Sequence, residues 1–254
     1  MSDDAKTSPP RKSMELDLGK QALQALFLIV ALAMVGFSLW PTVLVYDHFR
    51  PMATERWQWV LLVLGSILVF NYAYLVLLLF LRIIVPKPKE GFFPQNPGGR
   101  PSREVLILMI NILLTKLRYT PPWTQFLAAH LVRLPPLAGL YRTLFGPHMK
   151  TMTLGDTNHI IDPYLLYAGR NVQFGYDVGV TCHAFDNRGM TIKRVVIEDN
   201  AVIGGGCWIL PGVHVGHHAV VASCSMVKPN TEIGPYELWG GVPAKKIRDL
   251  PRDE

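Results

Sequence analysis

The densest group of polar side chains in the C-terminal half of the chain is the run Thr181, Cys182, His183, Ala184, Phe185, Asp186, Asn187 and Arg188. A neutral imidazole in such a run can accept a proton from a hydroxyl or an amine and so let that group attack a bound thioester carbonyl. His183 is therefore a candidate general base for acyl transfer. Asp186 is a candidate either to orient His183 or to position the acceptor. Arg188 would pair with an acidic substrate or bridge Asp186 to hold the loop, and the loop-holding role is preferred; Asn187 lies between them.

The elements that must position this loop are legible from periodicity. Ile197, Ile203, Ile209, Val215, Val221, Val227 and Ile233 recur every six residues, and the fifth residue of each hexad, from Ala201 and Cys207 to Ser225 and Thr231, is small. A six-residue period belongs to neither a helix nor an ordinary sheet. Three hexads make one triangular coil of a left-handed parallel β-helix, with the aliphatic residues pointing inward. Leu154, Ile160, Leu166, Val172 and Val178 extend the pattern toward the N-terminus. There, however, Tyr164, Arg170 and Tyr176 stand where small residues are expected, so those coils are read as wider or irregular. Val178 and Ile197 are nineteen residues apart instead of eighteen. A one-residue slip is therefore expected between 184 and 196, with a loop leaving the coil there.

The N-terminal half differs in kind. Residues 21–46 and 57–81 carry no charged side chain, and each run is long enough to cross a hydrocarbon core of about 30 Å as a helix. Trp40, Tyr46, Trp57 and Trp59 lie near the ends that share the short connection, as interfacial aromatics do. Basic residues number four before the first span, two between the spans and five soon after the second, which places both termini and the β-helix on the cytoplasmic side of the inner membrane. The net charge of +6 follows from these flanks, and no stacking motif or basic helix points to nucleic acid. Cys182, Cys207 and Cys224 lack metal-type spacing and suit a reducing compartment.

The fold class expected is thus a membrane α region followed by a β-solenoid. Residues 1–20 read as a disordered tail, 21–85 as a two-helix transmembrane hairpin, 86–103 as a Pro- and Gly-rich linker and 104–150 as amphipathic or interfacial helices. Residues 151–239 read as the β-helix and 240–254 as a C-terminal tail. Within 104–150, Trp123, Phe126, Leu127, Leu131 and Leu134 keep helical spacing, and a short helix continues to Phe145.

The segments Ile203-Gly204-Gly205-Gly206, Ile209-Leu210-Pro211-Gly212-Val213 and Gly240-Gly241-Val242-Pro243-Ala244-Lys245-Lys246-Ile247 resemble the hexapeptide-repeat acyltransferases, in particular the sugar and maltose O-acetyltransferase branch. That resemblance implies an acetyl-CoA or other acyl-CoA donor lying between subunits of a homotrimer, with His183 in the place of the general base. It also implies that Gly205 and Ser223 meet the pantetheine arm, and that Lys228, Lys245 and Arg248 lie at or beside positions meeting the arm or the phosphates. A second resemblance, carried by Asp162-Pro163 and by His183-x-Phe185-Asp186-Asn187-Arg188-x-Met190, is to the membrane-linked terminal domain of polylysine-type nonribosomal peptide synthetases. It implies amide formation with a separate carrier protein.

The expected function is a membrane-anchored acyltransferase acting on a hydroxyl or amine of a membrane-proximal glycan, lipid-linked sugar or lipid headgroup, with the bilayer itself as a partner. The alternatives are the amide-forming role and a non-catalytic trimerising scaffold. No metal is expected: His183 and His218 lie 35 residues apart, close to two coils, but the paired histidine that a gamma carbonic anhydrase zinc site would need is missing from the sequence.

Overall fold

The computed structural model describes residues 11–94, 101–117, 149–153 and 159–252. The chain divides into two compact units, Met1–Tyr74 and Leu75–Glu254. Helix α1 (Arg11–Phe49) starts inside the segment expected to be a disordered tail, because Arg11 to Lys20 are mostly good helix formers running straight into the apolar stretch. Helix α2 (Arg56–Ile84) follows a single 3₁₀ turn. The runs Gln24–Met52 and Arg56–Ile84 are long and apolar enough to cross a membrane. Their surfaces carry Leu28, Phe37, Trp40, Trp57, Val60 and Phe80 exposed.

The second unit holds the last part of α2, strand β1 (Gly91–Pro94), helix α3 (Arg103–Leu117) and the β-helix. Both β1 and the first residue of α3 fall within the expected linker, which is therefore partly regular structure. Helix α3 turns one face inward: Leu108, Asn111, Leu114, Thr115 and Leu117 are buried, and Leu108 joins the core of the β-helix. The helices expected over residues 123–145, and Leu154, lie outside the described residues.

The β-helix begins with β2 (Met149–Thr153), β3 (His159–Ile160), β4 (Leu166–Phe174) and β5 (Gly179–Val180). A projecting hairpin follows, β6 (His183–Phe185) and β7 (Gly189–Ile192). Then come the regular rungs β8 (Val195–Ile197), β9 (Val202–Ile203), β10 (Trp208–Ile209), β11 (His214–Val215), β12 (Val220–Val221), β13 (Met226–Val227) and β14 (Glu232–Ile233). Strands β15 (Glu237–Gly241) and β16 (Ala244–Asp249) close the stack. Pairing is parallel along three faces. One stacks Ala168, Ile197, Val215 and Ile233, the second Phe174, Ile203, Val221 and Trp239, the third Ile160, Val180, Ile209 and Val227.

All seven hexad residues from Ile197 to Ile233 are buried, as are the small residues Ala201, Cys207, Val213, Ala219 and Ser225. Corners need left-handed backbone. Asn171, Asn200, His218 and Tyr236 form one column of such residues, and Asp177, Gly206 and Cys224 another, all with φ between 56° and 69°.

Two expectations about the early coil are corrected. Val180 stacks on Ile209, 29 residues ahead, whereas Ile209 stacks on Val227, 18 ahead; the difference of eleven is the hairpin, residues 182–192. Eleven is one short of two hexads, so the displacement reads in the sequence as a small slip. The apparent early hexads are also out of phase, by two residues, because Ala168, Phe174 and Val180 hold the stacking positions. Leu166 stacks on Val195 rather than on Ile197, and Val172 and Val178 precede the residues that stack on Val202 and Trp208. They are buried all the same. Of the bulky residues, Tyr164 is buried, Arg170 turns outward to pair with Asp199, and Tyr176 sits exposed at a corner.

The expected tail from 240 is also partly a strand, since β16 returns antiparallel on β15 and is held by Lys246 to Glu237 at 2.6 Å.

Candidate active site

His183 opens the hairpin at the point where the chain leaves the coil. Strand β7 pairs antiparallel with both β6 and β1, so the hairpin is clamped on its far side by residues 91–94. The clamp requires Gly189: a Cβ there would lie 2.3 Å from the Phe93 carbonyl oxygen. Met190 and Ile192 turn into the core and anchor the base. At the tip, Asp186 accepts from the backbone N–H of Arg188 at 2.8 Å and of Gly189 at 2.9 Å, and the Arg188 guanidinium returns to Asp186 at 3.0 Å. These hydrogen bonds, the Arg188 backbone N–H foremost, hold the Asp186 carboxyl below the usual carboxylate range. Asp186 thus closes the turn, and Arg188 pairs with it there. Asn187 is exposed between them.

The partner of His183 is Asp162. Its Oδ2 lies 2.7 Å from His183 Nδ1, and the side chain is fully buried while that of His183 keeps 13 % of its surface. The expectation that Asp186 orients His183 is therefore corrected. The side chain of Asp186 is spent on its own turn, and the orienting carboxylate comes from the preceding coil. Asp162 Oδ2 also accepts from the Cys182 backbone N–H at 2.9 Å, and the Thr181 hydroxyl lies 3.4 Å away while bonding the His183 carbonyl oxygen at 3.0 Å. Asp162 Oδ1 accepts from the Tyr164 hydroxyl at 2.8 Å.

A carboxylate only accepts, so this arrangement puts the hydrogen on Nδ1 and leaves Nε2 as the acceptor. Among the described residues, Nε2 has no hydrogen-bond partner. Burial, reinforced by the neighbouring Asp162 charge, pushes the Tyr164 phenol far above its ordinary range, so it stays a donor. The same two causes, burial and the Asp162 charge, push the Cys182 thiol up.

Asp162 is the functional candidate that the hexads do not single out. The available signal is its distance from Cys182: twenty residues, near one coil, sets Asp162 beside the loop's first residues.

Of the residues expected to meet the donor, Gly205 and Ser223 occupy successive coils at one corner. A Cβ on Gly175 would lie 2.3 Å from the Gly205 backbone nitrogen, and one on Gly204 2.5 Å from that of Ser223, so the glycines let the corner backbones touch. Ser223 and Lys228 are exposed, as are Lys245 and Arg248 on β16. None of the five shares a hydrogen bond with His183 among the described residues.

Two further histidines belong to the stack. His214 lies 2.9 Å from both Glu198 and Glu232, and His218 stacks on Tyr236 with ring centroids 4.7 Å apart. Among the described residues, no group of three or more His, Cys, Asp or Glu could hold a metal ion.

The three-faced stack with an eighteen-residue coil decides the domain's class. The β-helical region is built of six-residue repeats, and the proteins it is similar to include acetyltransferases. No family model matches the chain. This region is similar to chloramphenicol acetyltransferase of Klebsiella aerogenes, 41% identical over 71 residues, which make up 28% of this chain and 31% of that protein. It is also similar to gamma carbonic anhydrase 2, mitochondrial, of Arabidopsis thaliana, 50% identical over 63 residues, or 25% of this chain and 23% of that protein. The chain thus matches less than a third of either relative. A solved hexapeptide-repeat acetyltransferase from Vibrio cholerae, complexed with acetyl coenzyme A, is 23% identical and aligns over 59% of this chain and 91% of its own, with a TM-score of 0.41.

Proposed function

We propose that the chain is a membrane-anchored acyltransferase that moves an acyl group, acetyl in the simplest case, from an acyl-CoA donor to a hydroxyl or amine of an acceptor at the membrane surface. The observation that carries this reading is the buried Asp162 carboxylate 2.7 Å from Nδ1 of a partly open His183. In this reading Nε2 of His183 takes the proton of the acceptor O–H or N–H as that atom attacks the thioester carbonyl. The tetrahedral centre collapses with loss of the C–S bond, and His183 returns the proton to the departing thiolate. Asp162 fixes the tautomer and stabilises the imidazolium between the two transfers.

Acetyltransferases among the relatives support the choice of donor. The exposed cations Lys245 and Arg248 suit phosphate groups, and the close-packed glycine corner beside Ser223 suits a slender arm. A homotrimer, a cytoplasmic site and two membrane spans complete the proposal. The two apolar helices support the last of these, because a chain with a tethered site works best on an acceptor that stays at the same surface. Calorimetry of the detergent-solubilised chain with acetyl-CoA tests donor binding. His183→Ala should abolish thiol release from acetyl-CoA while leaving donor affinity and oligomeric state unchanged; full turnover in that variant would remove His183 from the mechanism.

The likeness to a gamma carbonic anhydrase favours one other reading, a zinc hydratase. It predicts stoichiometric zinc in the purified protein and hydration of carbon dioxide. Elemental analysis together with a carbon dioxide hydration assay decides between the two.

A further inference from the structure

The Asp162–His183 pair does not end at Asp162. The Tyr164 hydroxyl donates to Asp162 Oδ1 at 2.8 Å, and the Arg82 guanidinium lies over the Tyr164 ring, 5.1 Å from its centroid. Arg82 belongs to the last turn of α2 and is 4 % exposed. It is held there by design of the surrounding chain: its Nη1 donates to Asn111 Oδ1 at 2.7 Å and to the Val85 carbonyl at 3.3 Å. Asn111, itself buried, donates to the carbonyls of Pro86 at 2.8 Å and Ile107 at 2.7 Å. A guanidinium taken this far out of water is costly unless its field is used, and the aromatic face it covers belongs to the residue that bonds the buried carboxylate.

We propose that Tyr164 and Arg82 are positioning residues for the His183–Asp162 pair, so that the end of the second apolar helix sets the orientation of the general base. Tyr164 occupies the Asp162 oxygen that His183 does not use, which fixes the carboxylate plane and aims Oδ2 at Nδ1. Arg82 fixes the Tyr164 ring by its cation–π contact, and Asn111 ties that cation to α3. The order of the bonds, from helix end to ring to carboxylate to imidazole, gives the apolar helix a part in the chemistry beyond anchorage. This rests on the acyltransferase reading for its kinetic consequence, but the geometry of the imidazole can be observed without it.

The test uses the full chain in detergent, with histidine nitrogens labelled, and compares Tyr164→Phe, Arg82→Met and Arg82→Lys with the unaltered protein. The hydrogen-bonded Nδ1–H resonance of His183 should be sharp in the unaltered chain and in Arg82→Lys, and should exchange with solvent in Tyr164→Phe and Arg82→Met. Hydrolysis of acetyl-CoA, with water standing in for the acceptor, should lose about tenfold in kcat in those two variants at unchanged KM. If Arg82→Met does not fold, Tyr164→Phe decides alone. An unchanged Nδ1–H resonance and unchanged kcat in Tyr164→Phe would overturn the proposal. If the unaltered chain neither binds nor hydrolyses acetyl-CoA, the acyltransferase reading fails instead, and the resonance still reports on the positioning.

Discussion

Asp162 sits with no exposed side-chain surface and carries four contacts: His183, the Cys182 amide, Tyr164 and the Thr181 hydroxyl. Replacing it with Asn keeps the shape but lets the amide donate, so Nδ1 no longer has to carry the hydrogen. Asp162→Asn should therefore lower kcat by on the order of a thousandfold with little change in donor affinity, read from thiol release and calorimetry. Asp186 belongs to a different problem. Its carboxyl is held below the ordinary range by bonds to Arg188 and Gly189, so its contribution to the hairpin is complete at neutral pH and is lost as the pH falls through that depressed value. The Gly189 amide resonance should move in that acid window, and Asp186→Ala should abolish the movement at all pH values. If the resonance stays fixed through the acid range in the unaltered chain, the turn is held by something other than this carboxylate. Neither role is written in residue type, since His183 has one acidic neighbour in sequence and another in space.

At the scale of elements, the clamp between β1 and β7 is the most exposed point of failure. Gly189→Ala would drive a methyl into the Phe93 carbonyl, so β1 must unpair or shift. The expected outcome is an intact β-helix, a hairpin opened to proteolysis and activity reduced at least about tenfold, checked by limited digestion and turnover. The run of rungs from Ile197 to Ile233 was legible because each coil contains three hexads of equal length and no insertion. The first coil was not, because an excursion of eleven residues nearly cancels against two hexads, and because buried residues two apart, such as Val172 and Phe174, offer two phases. Leu166, Val172 and Val178 are buried in either phase, so composition could not separate the two. Strand β1 was hidden for another reason. Gly91 to Pro94 lies in a Pro- and Gly-rich stretch and pairs with a partner about a hundred residues away, which no local pattern reports. His183 could be read from its loop, whereas the Asp162 partnership depended on which coil lies beneath.

For the molecule as a whole, the proposed topology can be tested on native cysteines. Cys182 and Cys207 are buried and Cys224 is exposed at a corner of the stack. A membrane-impermeant maleimide should label Cys224 in inside-out vesicles and leave it unlabelled in intact cells; labelling from outside would reverse the assigned orientation. The stack also has a fixed height. Sheet order runs from β4 through β9, β12 and β15 to β16, so the strand carrying Lys245 and Arg248 stands four strand spacings, about 19 Å, above the coil from which His183 emerges. Because every intervening coil is interchangeable in geometry, coil number acts as a gauge. Excising one eighteen-residue coil would shorten that span by roughly 5 Å while preserving all three faces. The number of rungs thus sets the height between the two cations and the histidine.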